Sequence, residues 1–156
     1  NKSVVINTAA NADAAKYSSH ANNLEHLQGV AQRLSLDDSK KYKLQFFYYR
    51  PNLVWGTTDV AANINHAEKI VVGIVSSTEA NVNTDYTYEE VITLEKTEGW
   101  KEYNITFDLP DIIQKNPGKS FEKCAIFFNI VPEIDSAQKT LKTLVNLDDI
   151  SLTETK

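Results

Sequence analysis

The stretch 42–52, YKLQFFYYRPN, constrains this chain more than any other. It alternates at period two, the repeat of a β-strand. Tyr42, Leu44, Phe46 and Tyr48 share one side, and Lys43, Gln45, Phe47 and Tyr49 share the other. The first set is a core face. The second mixes polar groups with aromatic rings, which an ordinary solvent face seldom does. Pro51 ends the strand, because proline cannot donate to a sheet ladder.

The rest of the chain reads the same way. Val4–Ile6 suits a short first strand, and the alanine-rich stretch Ala9–Lys16 suits at most a helical turn, since it lacks an apolar stripe. Val30–Leu36 alternates as a strand. The charged turn Asp37–Lys41 should then join it to the Tyr42 strand as a hairpin. Leu53–Lys69 reads as a long loop around Trp55. Lys69–Ser77 is a strand apolar on both faces, with Gly73 marking a close approach or a bulge. Tyr86–Leu94 is another strand. In Trp100–Leu109, Tyr103, Ile105, Phe107 and Leu109 point inward, while Asn104, Thr106 and Asp108 point outward. One helical turn over Pro110–Asn116 stops at Pro117-Gly118. Phe121–Val131 is a central strand, and Leu144–Thr153 closes the domain.

Seven or eight strands without a convincing long helix exclude parallel βαβ units. The expected fold is all-β: a single domain over residues 1–156, built as an antiparallel two-sheet β-sandwich of jelly-roll type.

Composition removes several functions. A net charge of −5 disfavours nucleic acid and anionic membrane as partners. No run is long or apolar enough to insert in a membrane, and no charged segment followed by an apolar stretch opens the sequence as a signal peptide would. The one cysteine, Cys124, lies in an apolar run and reads as a buried small hydrophobe rather than a nucleophile. The three histidines, His20, His26 and His66, are too scattered for a zinc site. Asp108, Asp111, Glu133 and Asp135 sit near loops, but nothing marks two of them as the spaced acid pair of a glycosidase. No phosphate loop, nucleophile elbow or metalloprotease motif occurs.

Four segments carry a family resemblance: VAQRLSL at 30–36, KYKLQFFYYR at 41–50, TEGWKEYNITF at 97–107 and VNLDDISL at 145–152. In order and spacing they resemble jelly-roll carbohydrate-binding modules, the galactose-binding-domain-like sandwiches attached to bacterial glycan-degrading enzymes and surface lipoproteins. The GWKEYNITF and NLDDISL stretches are the most specific, and they are structural signatures rather than catalytic ones. The resemblance implies a secreted, periplasmic or bacterial cell-surface location and attachment to other domains of a larger protein. It also implies a structural calcium in many such modules. The opening segment with a glycine, an acidic residue and a phenylalanine that helps build that calcium site is missing here.

Aromatic rings take sugars because the C–H face of a pyranose packs on a π face, while flanking polar groups satisfy its hydroxyls. Gln45, Phe47 and Tyr49 suit a ligand on the sheet face; Arg50, Asn52, Trp55 and Tyr88 suit one in the adjacent loops. Three of them have a bland alternative: a covered face for Phe47, a rim position for Tyr49, a loop anchor for Trp55. Trp100, opening a strand after a glycine turn, reads as a packing residue. Asp148 and Asp149 are the candidate calcium ligands, although neighbours on a strand point apart unless a bulge intervenes. A bulge is expected there, because Val145 and Leu147 have one parity and Ile150 and Leu152 the other. The leading expectation is non-catalytic binding of an oligo- or polysaccharide with no required cofactor. The alternative is a protein-interaction or structural sandwich that uses the same aromatics as an interface.

Overall fold

The structure, a computed structural model, describes residues 4–8, 28–51, 67–76, 88–132 and 143–155. Eight strands and one short helix occupy them: β1 (Val4–Thr8), β2 (Gln28–Leu34), β3 (Lys41–Tyr49), β4 (Ala67–Ser76), β5 (Tyr88–Thr93), β6 (Lys101–Asp108), α1 (Leu109–Lys115), β7 (Cys124–Pro132) and β8 (Thr143–Thr155). They form two four-stranded sheets, ordered β1-β8-β3-β6 and β2-β7-β4-β5, with every pairing antiparallel. The chain is an all-β, antiparallel two-sheet sandwich. The expected turns and loops within 9–27, 52–66, 77–87 and 133–142 lie outside the described residues, as does Trp55.

The core forms where the two inner faces meet. Tyr42, Leu44, Phe46 and Tyr48 of β3 all point into it, as their alternation requires. Ile105 and Phe107 of β6 and Val145 and Leu147 of β8 join them from the first sheet. Ile70, Val72 and Ile74 of β4 and Ile126, Phe128 and Ile130 of β7 face them from the second. Phe46 meets the Phe128 ring edge-on at 5.0 Å, the geometry that aromatic quadrupoles favour. Truncating such a ring in a close-packed interior costs about 3–5 kcal/mol.

The second sheet is buried on its other face as well: Val71, Val75, Ala125 and Phe127 are all solvent-inaccessible or nearly so. Gly73 lies among them as a close-approach point. A Cβ there would collide with the Phe127 ring and stand 2.7 Å from the Tyr88 carbonyl oxygen. Strands buried on both faces read as continuous apolar runs, as β4 does.

One expected connection is wrong. β2 and β3 do not form a hairpin: β2 pairs with β7 in one sheet, and β3 pairs with β6 and β8 in the other. The segment 35–40 carries the chain across the sandwich instead. Leu36 N–H donates to the Phe121 carbonyl at 3.0 Å, and Phe121 N–H donates to the Asp38 carboxylate at 2.6 Å. Those bonds tie the crossing to the start of β7 rather than closing a two-strand turn.

The helix begins on Asp108, whose carboxylate accepts the Asp111 N–H, with Pro110 in its first turn, a position that lacks a helical partner anyway. It ends before Gly118, whose φ of 86° glycine adopts without strain.

Candidate functional site

The outer face of the first sheet is built by β3 with β6 on one side and β8 on the other. Side chains of β3 that miss the core must emerge on it, so Lys43, Gln45, Phe47 and Tyr49 form its central row, each half-buried between its neighbours. Register sets what flanks them. Phe47 stands between Glu102 and Asp148, Gln45 between Asn104 and Ser151, and Lys43 between Thr106 and Thr153. Tyr49 has Asn146 on the β8 side. On the β6 side its ring meets Trp100, with centroids 5.9 Å apart and planes inclined at 52°.

Trp100 corrects the sequence expectation. It is not a packing residue of the core but one of the most exposed large apolar side chains among the described residues, 47 % accessible. The signal was present: Trp100 has the parity of Asn104 and Thr106, which point outward. The result is a surface carrying Phe47, Tyr49 and Trp100 beside Gln45, Asn104 and Asn146. Rings of this kind offer apolar faces to a pyranose, and the amides offer donors and acceptors to its hydroxyls.

The remaining candidates lie elsewhere or serve the fold. Arg50 is 8 % exposed, and its guanidinium donates to the Leu94 carbonyl at 2.9 Å. Its backbone N–H donates to Thr97 Oγ1 at 3.1 Å, so Arg50 clamps the end of β3 to the 94–97 segment and does not lie on the open face. Tyr88 belongs to the second sheet and points between the sheets, its ring meeting Phe107 edge-on at 5.5 Å. The Tyr88 hydroxyl donates to Glu90 at 3.0 Å, and burial, followed by that acidic neighbour, pushes its pKa up to about 12. It therefore stands apart from Phe47 and Tyr49. Asn52 and Trp55 lie outside the described residues.

The bulge expected in the closing strand is present. Pairing with β3 slips between Gln45 and Phe47, and Asp149 adopts a φ of 47°. The Asp148 carboxylate accepts the Asp149 N–H at 2.8 Å. Asp148 faces outward beside Phe47, whereas Asp149 occupies the bulge and is exposed. Two carboxylates fall short of the six to eight oxygens that calcium takes. Among the described residues no group of three or more His, Cys, Asp or Glu side chains gathers as a metal would need.

Of the acids near loops, Glu133 and Asp135 lie outside the described residues, and the other two are engaged. Asp108 pairs with Lys41 and caps α1, and Asp111 pairs with Lys115 at 2.7 Å. The Lys41 ammonium holds the Asp108 carboxyl below the usual range. A separate, mostly apolar pocket of ≈ 360 Å³ is lined by Val30, Gln32, Leu34, Ile126, Ile150 and Leu152. It contains no carboxylate.

The two-sheet sandwich is a fold shared with solved structures of carbohydrate-binding modules. A solved structure described as "CBM4 structure and function" matches with a TM-score of 0.54 at 15% identity, over 86% of this chain and 64% of the other. The crystal structure of a non-crystalline cellulose specific carbohydrate-binding module, CBM28, matches with a TM-score of 0.51 at 14% identity, over 96% of this chain and 73% of the other. This chain thus spans less than two thirds of the length of the first. At these identities the likeness is one of fold: a β-sandwich of the carbohydrate-binding-module kind, without singling out the galactose-binding-like group. No protein-family model matches the sequence, and no curated protein matches it. No helix among the described residues is long and apolar enough to cross a membrane.

Proposed function

We propose that this chain binds a glycan without transforming it, on the outer face of the β1-β8-β3-β6 sheet. The observation that carries this reading is the Tyr49–Trp100 ring pair on an open sheet surface, with Phe47 one step along β3. Side chains two residues apart on a strand are about 6.5–7 Å apart, so the rings form one continuous platform. Gln45, Asn104 and Asn146 supply hydrogen bonds at its margins. The fold likeness to the CBM4 and CBM28 modules supports the same reading. No cofactor is needed, since stacking and hydrogen bonding suffice. Affinity should be weak, because an open platform leaves most sugar hydroxyls exchanging with water. Such a module would act as one domain of a larger secreted or cell-surface protein, holding it to its polysaccharide.

Affinity electrophoresis against a panel of soluble polysaccharides tests this, with Trp100→Ala and Tyr49→Ala as variants. Retardation by a glycan, lost in both variants while the fold persists, is the expected result. An unretarded wild type across neutral, cationic and acidic glycans would overturn the reading and favour a protein interface on the same rings.

A further inference from the structure

We infer that the platform selects glycans by charge, and that Glu102 and Asp148 make it prefer sugars carrying a free amine; the inference rests on the glycan-binding reading above. The geometry is a ring bracketed by two carboxylates. In the register of the sheet, Phe47 has Glu102 beside it on β6 and Asp148 beside it on β8. Adjacent strands lie about 4.8 Å apart, so both acidic residues flank Phe47 on the same face.

Among the described residues neither carboxylate has an ionic partner. Asn104 Nδ2 donates to Glu102 at 2.9 Å and the Asp149 N–H donates to Asp148 at 2.8 Å, and both of those partners are uncharged. The described cations on β3 and β6 are occupied or stand further along the strand. Lys101 is paired with Glu95 at 2.9 Å, and Lys41 is paired with Asp108. Lys43 stands two outward positions from Phe47, between Thr106 and Thr153. An ammonium group over the Phe47 ring would meet a π face and a carboxylate on either side. A uronate or sulfate ester there would meet only repulsion. A neutral or N-acetylated sugar would keep the stacking and gain nothing from the charges.

The ligand class is therefore a hexosamine glycan with unacetylated amino groups. Each contribution is modest at a surface, so the expected preference is roughly fivefold to tenfold at low salt. The test is calorimetric titration with β-1,4-linked hexamers of glucosamine, N-acetylglucosamine and glucose, together with a galacturonate hexamer. Wild type, Glu102→Gln/Asp148→Asn, Trp100→Ala and the remote control Glu122→Gln are compared at low and high salt. The glucosamine hexamer should bind tightest and the galacturonate hexamer not at all. High salt or the Glu102→Gln/Asp148→Asn variant should bring the glucosamine hexamer level with the two uncharged ones, while Glu122→Gln leaves the preference intact. Uncharged hexamers that bind as well as the amine, with binding lost in Trp100→Ala, would overturn the charge selection and leave the platform standing. A preference unchanged in Trp100→Ala, or lowered equally by Glu122→Gln, would mark mere attraction to an acidic protein and also overturn it. No binding by any hexamer would remove the platform reading itself.

Discussion

Tyr49 and Trp100 meet on the outer face of the sandwich, where β3 ends and β6 begins, with ring centroids 5.9 Å apart. Neither ring belongs to the core cluster. Their contact is a lateral one between a half-buried ring and an exposed one, and it leaves ring surface open to solvent. A tryptophan that held the core together would behave quite differently from one that does this.

Trp100→Ala should consequently change binding far more than folding. Loss of a stacking tryptophan from a binding surface typically costs about 2 kcal/mol or more of affinity, over tenfold. Among the described residues the ring pair lost from the folded state is the tilted contact with Tyr49, about 0.5–1.5 kcal/mol. Urea unfolding beside affinity electrophoresis separates the two. A stability loss of the size seen for buried rings, about 3–5 kcal/mol, would return Trp100 to a packing role.

Arg50 should show the opposite pattern. Its guanidinium is buried and donates to the Leu94 carbonyl. Removing a charged donor from a buried acceptor costs about 1.5–3 kcal/mol and leaves that carbonyl poorly satisfied. Arg50→Met should lower the urea midpoint by an amount of that size. Glycan retardation of the folded variant should match wild type, because the side chain does not reach the open face. Lost retardation with unchanged stability would place Arg50 in the ligand site after all.

The sequence makes one face of β3 fully legible and the other only half so. Period two is enough to send Tyr42, Leu44, Phe46 and Tyr48 inward, and burial follows. The same parity, carried four residues back from Asn104, would have put Trp100 outward, but a glycine turn ahead of it suggested packing instead. The false hairpin between β2 and β3 has a different cause. A short charged turn between two strands looks the same whether it closes a hairpin or crosses a sandwich, and only the distant partners Phe121 and Asp38 decide. Arg50 and Tyr88 were illegible for the same reason. Their partners, Leu94 and Phe107, are 44 and 19 residues away in the chain. The bulge was readable because a parity change within one strand is local.

Asp149 tests that bulge directly. Its φ of 47° is a conformation that asparagine, aspartate and glycine tolerate and that β-branched residues do not. Asp149→Gly should hold stability within about 0.5 kcal/mol or raise it, whereas Asp149→Val should cost about 1–3 kcal/mol. The valine variant should also weaken glycan binding, since Asp148 and the register of β8 against Phe47 depend on the bulge. Equal stability for the two variants in urea would mean that the turn carries no strain.

Alkaline titration probes the interior, where Cys124 is buried in the core and Tyr88 packs against it. Burial pushes the Cys124 thiol up to about 12, with the nearby Asp38 charge adding to it, and burial does the same to Tyr88. In both groups the folded state favours the neutral form. The unfolded chain ionises first, its thiol near 8.5 and its phenol near 10. Above those values the unfolded state holds fewer protons than the native one, so stability falls as pH rises. The contribution is complete below about pH 8.5 and is lost progressively toward 12, by at most about 1.4 kcal/mol per pH unit for the thiol. Urea midpoints should thus be level between about pH 7 and 8.5 and then decline, with a shallower decline in Cys124→Ala. The native thiol should also resist alkylation near pH 8 until urea exposes it. Rapid labelling of the folded protein, or a decline identical in Cys124→Ala, would show that the thiol is not held neutral by the core.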